Sequence, residues 1–135
     1  MKTKIVLLVA LLFAASSSQA APDSFSCVVK NQSTLQKDGA FSVQQVDRHS
    51  PYFDQRFVVD KVSGRVSGKL FYNEGAEQIT VLDNGINPEN AFHIHWRGRK
   101  DVSAPFFYLY IESFIKPRSP FVWIRGGESF SGLCD

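Results

Sequence analysis

Two histidines and a run of aromatic residues carry most of the chemistry in this sequence. His93 and His95 stand two apart in Ala91-Phe92-His93-Ile94-His95-Trp96-Arg97, and on a β-strand residues at i and i+2 share a face. Two imidazoles side by side supply half of a zinc or copper site. Completing it takes further donors, and the remaining histidine is His49, in a stretch whose position the sequence does not fix. An ordinary amphipathic strand explains the pattern equally well, with Phe92, Ile94 and Trp96 buried and His93, His95 and Arg97 wet. The expectation is therefore no metal and no cofactor.

The aromatic run is Phe106-Phe107-Tyr108-Leu109-Tyr110-Ile111-Glu112-Ser113-Phe114-Ile115. Alternation puts Phe107, Leu109, Ile111 and Ile115 on one face and Phe106, Tyr108, Tyr110, Glu112 and Phe114 on the other. If this strand forms hairpins with both neighbours, His95 lies opposite Tyr108, His93 opposite Tyr110, Tyr110 opposite Arg125 and Glu112 opposite Trp123. One face then gathers His93, His95, Arg97, Tyr108, Tyr110, Glu112, Trp123 and Arg125. Tyrosine, tryptophan and arginine join a large contact area to a polar handle and are enriched at recognition hot spots. This face is the expected binding site; burial under a loop such as 47–55, or the lining of an interior cavity, are the competing readings.

Catalytic signals are sparse. The chain has no GxSxG elbow, HExxH pair, phosphate loop or CxxC, and the two acids that would pair in a hydrolase, Asp60 and Glu112, have no separation that sequence can fix. The basic turn Trp96-Arg97-Gly98-Arg99-Lys100-Asp101 suits a phosphate or carboxylate, although exposed turns are commonly charged simply to stay solvated. An enzyme, metal-dependent or otherwise, is the least supported reading.

The elements that must position these residues read as all-β. No segment after residue 20 sustains a helical period, while short β-branched or aromatic runs recur between turn residues. The expected strands are 24–30, 40–46, 56–60, 65–72, 78–82, 91–97, 106–115, 121–125 and 129–134. Glycines at 64, 75, 85 and 126–127 mark tight hairpins. Pro51, Pro88, Pro105, Pro117 and Pro120 fall outside the expected strand interiors. The fold class is a single antiparallel meander of eight or nine strands forming a small barrel or sandwich.

Cys27 and Cys134 are the only cysteines, so in an oxidising compartment they pair with each other. Closing so long a loop stabilises the fold by roughly 4.7 kcal/mol in the chain-entropy account. It also forces the first and last strands to be neighbours, because bridged cysteines bring their α-carbons within about 7 Å.

The compartment is read from the start of the chain. Lys2 and Lys4 precede an apolar run from Ile5 to Ala15, and Ser18-Gln19-Ala20 supplies small residues for cleavage. This is the layout of a signal peptide spanning 1–20, cut after Ala20, with one β-domain over 21–135. The leader carries two of the 15 basic residues and no acid, which leaves a balance with the 13 acids; the net +2 belongs to the leader. A balanced domain has no general attraction to nucleic acid. No other apolar stretch is long enough to span a membrane as a helix. Asp23-Ser24-Phe25-Ser26 before Cys27 is unlike a lipoprotein cleavage site, so no lipid anchor is expected. The leader reads as bacterial, and the destination as periplasm or medium.

A leader followed by a small antiparallel barrel with a cysteine near each end is similar to the plan of periplasmic lysozyme inhibitors and of small calycin-like ligand carriers. The resemblance is one of architecture and carries no residue over: Ser63-Gly64 is followed by Arg65, Val66 and Ser67 rather than by the tyrosine of an inhibitor loop. The expected role is a non-catalytic module that binds a protein, a glycan or another envelope component. A carrier of a small apolar ligand inside the barrel is the alternative.

Overall fold

The computed structural model describes residues 23–85, 87, 89–99 and 106–135. Its regular elements are β1 (Ser24–Leu35), β2 (Phe41–Gln45), β3 (Arg56–Asp60), β4 (Val66–Gly68), β5 (Gln78–Asn84), β6 (Phe92–Arg97), β7 (Phe106–Ile111), β8 (Ser119–Arg125) and β9 (Glu128–Cys134). They form one antiparallel sheet in the order β4-β3-β1-β9-β8-β7-β6-β5, with β2 beside β1, curled into a half-barrel. The all-β class and the neighbouring first and last strands agree with the sequence reading.

β1 organises the sheet because it is long enough to take two partners end to end along one edge. Its first half pairs with β3, from Ser24↔Asp60 to Val28↔Arg56, and its second half with β2, from Asn31↔Gln45 to Leu35↔Phe41. Its other edge pairs with β9, with a bulge between Val29 and Asn31. The strand expected to stop at Lys30 therefore continues to Leu35, where the turn into β2 is closed by Gln36 N–H donating to Ala40 O at 2.8 Å.

Two other boundaries differ from expectation for identifiable reasons. β4 stops at Gly68 instead of Tyr72 because the chain folds back there and the buried Asn73 side chain takes the place of a strand. Its Oδ1 accepts from Val66 N–H and its Nδ2 donates to Gly64 O, both at 2.8 Å. β7 stops at Ile111 instead of Ile115, and β8 starts early enough to include Pro120. Glu112 N–H still donates to Pro120 O at 2.9 Å, but proline has no N–H to return, so the ladder ends.

The concave side holds the core. Phe71 stacks on Phe57 with centroids 5.5 Å apart and meets Trp123 and Phe130 edge-on at 5.2 and 5.0 Å. Trp123 continues the cluster to Trp96 at 4.7 Å. The 47–55 segment adds Tyr52, whose ring lies 4.7 Å from that of Phe130. This loop thus covers the inner side and not the Tyr108 face. The β3–β4 turn approaches β5 closely at Gly64: its φ is +68°, and a Cβ there would lie 3.0 Å from side-chain carbons of both Ile79 and Val81.

Cys27 and Cys134 are direct cross-strand partners joined by a disulfide, with α-carbons 3.9 Å apart and a sequence separation of 107. Ser26 and Asp135 exchange both backbone hydrogen bonds, which makes the cysteines a non-hydrogen-bonded pair, the position where opposing strands come closest. Such a bond belongs to an oxidising compartment; the leader at 1–20 lies outside the described residues. Replacing both cysteines by serine should lower unfolding stability by about 2–5 kcal/mol in urea denaturation. Equal midpoints for the two proteins would mean that the bond does not hold the ends of the sheet together.

Candidate functional site

The pairing of β6 with β7 places His95 opposite Tyr108 and His93 opposite Tyr110, as alternation and hairpin parity imply. Leu109 and Ile111 are completely buried on the inner side, so Tyr108, Tyr110, His93 and His95 face outward. Tyr108 Oη and His93 Nδ1 share a hydrogen bond at 3.1 Å, and the His93 ring stands edge-on to Tyr110 with centroids 4.7 Å apart. Tyr110 Oη donates to Glu112 Oε1 at 3.4 Å. Desolvation, and then the Glu112 carboxylate, hold the Tyr110 phenol above its ordinary pKa. These four side chains form a connected polar and aromatic strip along two strands.

Trp123 and Arg125 do not join it. The expected parity at the next hairpin is reversed: Trp123 pairs with Leu109, Arg125 with Phe107 and Val122 with Tyr110. Shifting a strand by one residue exchanges its two faces, and here the exchange buries Trp123 in the core, where Phe57 and Phe71 meet it edge-on within 5.3 Å. Its Nε1 has no hydrogen-bond partner among the described residues. The β8 residues that join the outer strip are Val122 and Ile124, 37% and 41% exposed, together with Pro120. Sequence reasoning missed them because it took the polar side chains of β8 as its outer set.

Arg125 instead lies on the inner side near the end of the half-barrel. Its Nη2 donates to Glu128 Oε2 at 2.8 Å and to Tyr52 Oη at 3.3 Å. Burial opposes its charge, but these two hydrogen bonds outweigh burial and raise its pKa. Arg97, at the margin of the outer strip, forms an ion pair with Glu77 at 3.6 Å. Of the basic turn after it, Lys100 and Asp101 lie outside the described residues.

The outer face extends well past the histidines and tyrosines. Across β2, β1, β9, β8, β7 and β6, one outward row runs through Val43, Ser33, Ser129, Ile124, Tyr108 and His95. The next runs through Gln45, Asn31, Ser131, Val122, Tyr110 and His93. Neither row contains Lys, Arg, Asp or Glu, in a chain that is 21% charged. Phe106, 68% exposed, sits at its border.

Among the described residues no group of three His, Cys, Asp or Glu side chains is arranged to hold a metal ion. Asp60 is engaged at the β3–β4 turn, where its Oδ1 accepts from Ser63 N–H and Ser63 Oγ. No helix among these residues is long and apolar enough to cross a membrane. The chain matches no protein-family model, and no curated protein or solved structure matches it either.

The reversed parity has a direct consequence for stability. Trp123→Ala should cost about 3–5 kcal/mol, as expected for a buried ring, whereas Ile124→Ser should stay within about 0.5 kcal/mol of the wild type. Chemical denaturation of both variants checks the assignment, and a mild Trp123→Ala beside a severe Ile124→Ser would reverse it.

Proposed function

We propose that the protein is a non-catalytic binding module of the periplasm or the extracellular medium, which holds a protein or another envelope component on the outer face of β6, β7 and β8. The observation that carries this reading is the contiguity of Phe106, Tyr108, Tyr110, Val122 and Ile124 on a face whose two central rows hold no charged residue, with Glu112 and Arg97 at its margin. Single exposed apolar side chains are ordinary, but a contiguous group rimmed by polar residues is what interaction surfaces have in common. Tyr108 and Tyr110 are held by His93 and Glu112, so little side-chain freedom remains to be lost when a partner binds. The signal-peptide pattern at 1–20 and the Cys27–Cys134 disulfide support export.

The carrier reading has less support, because it requires an enclosed hollow. The space under the curled sheet is occupied by Phe57, Phe71, Phe130, Trp96 and Trp123 in mutual ring contact.

A photo-crosslinking residue placed at Ile124, with Lys37 in the exposed β1–β2 turn as the control position, tests the proposal in cells that export the protein. The expected result is one discrete adduct from position 124 and none of that size from position 37. Identical adducts from both positions, or none from position 124, would remove the outer face from consideration.

A further inference from the structure

A second site lies on the opposite side of the sheet and does not depend on the outer-face reading. A cleft of about 650 Å³ opens where the 70–76 segment, the end of β6 and the β8–β9 turn meet. Trp96 and Phe107 line it as a flat double layer, with ring planes 1° from parallel and centroids 5.2 Å apart. Gly75, Gly98, Gly126 and Gly127 also line it, so stretches of bare backbone leave its edges open. A planar apolar molecule fits beside such a wall.

Arg125 supplies the polar end of the same cleft. A guanidinium carries five N–H donors. Both of Arg125's hydrogen bonds use Nη2, and Nε and Nη1 make none among the described residues. The Arg125 Cζ lies 5.3 Å from the centroid of Phe130. The group is therefore oriented by Glu128, Tyr52 and Phe130 while part of its donor set stays unused. Unused donors on an oriented, half-buried cation suit an oxyanion. Glu128, whose carboxylate is 2.8 Å from Nη2, disfavours a doubly charged phosphate by repulsion and leaves a singly charged carboxylate as the better match.

We infer that this cleft binds a small aromatic carboxylate, its carboxylate on Arg125 and its ring beside Phe107 and Trp96. Wild-type protein labelled with ¹⁵N is titrated with benzoate and, separately, with benzamide, which has nearly the same shape and no charge. Benzoate should shift the Gly98, Gly126 and Gly127 amides and the Trp96 indole N–H saturably, and benzamide should bind about tenfold more weakly or worse. Arg125→Lys keeps the charge but loses the planar fork, and should weaken benzoate binding about tenfold with a native thermal melt. Equal binding of the two probes overturns the inference, as does the absence of cleft shifts with benzoate or an unchanged affinity in folded Arg125→Lys. The two-probe comparison uses the unmodified protein, so it decides the matter even if the variant does not fold.

Discussion

The contact between Phe71 and the inward rings of β3, β8 and β9 is the constraint on which the rest of this structure depends. Phe71 belongs to no strand; it is carried inward by the segment that folds back after β4 and is held there by the buried amide of Asn73. Phe57, Trp123 and Phe130 each meet it within 5.5 Å. Because side chains alternate along a strand, committing Trp123 to this cluster fixes the facing of all of β8. Val122 and Ile124 must then point outward and Arg125 inward. Both candidate sites follow from that single choice: the outer face with its charge-free rows on one side and the arginine-lined cleft on the other.

A sheet that fills its own concavity with rings has little interior left for cargo, and its distinctive surfaces are displaced to the outside and to the end. The outer rows are notable for what they lack, since desolvating Ser, Asn, Gln and Tyr side chains costs far less than desolvating charges. The end cleft has the opposite character. There the chain keeps an ionised pair, Arg125 and Glu128, and a tyrosine hydroxyl at the edge of the aromatic cluster, where a low-dielectric wall strengthens any charge-assisted contact.

The strands themselves were legible in the sequence because β-branched and aromatic runs alternate with glycine turns, and the disulfide was legible because two cysteines leave one intramolecular pairing. The β6–β7 register was legible too, since both strands have an evident polar side. The β7–β8 register was not. β8 reads Phe-Val-Trp-Ile from 121 to 124, apolar on both faces, and the 112–118 connection has a length but no turn signature that sets parity. Nothing in this stretch distinguishes an outward Trp123 and Arg125 from the inward pair that the structure shows. What decides the register is burial of the larger rings: Phe121 and Trp123 bury more apolar area than Val122 and Ile124, and the inner side is the one with room for them. The long β1 and the early stop of β4 were hidden for a different reason, because each depends on a distant partner, β2 in one case and Asn73 in the other.

The facing of β8 is open to direct measurement. Trp96 and Trp123 are the only tryptophans in the chain, and both are 2% exposed on the inner side of the sheet. Acrylamide quenching of a native Trp96→Phe variant, in which Trp123 is the one remaining indole, should find that indole shielded, with a quenching constant far below that of the urea-unfolded chain. A quenching constant close to that of the unfolded chain would place Trp123 on the outer face, and would contradict the account of both sites.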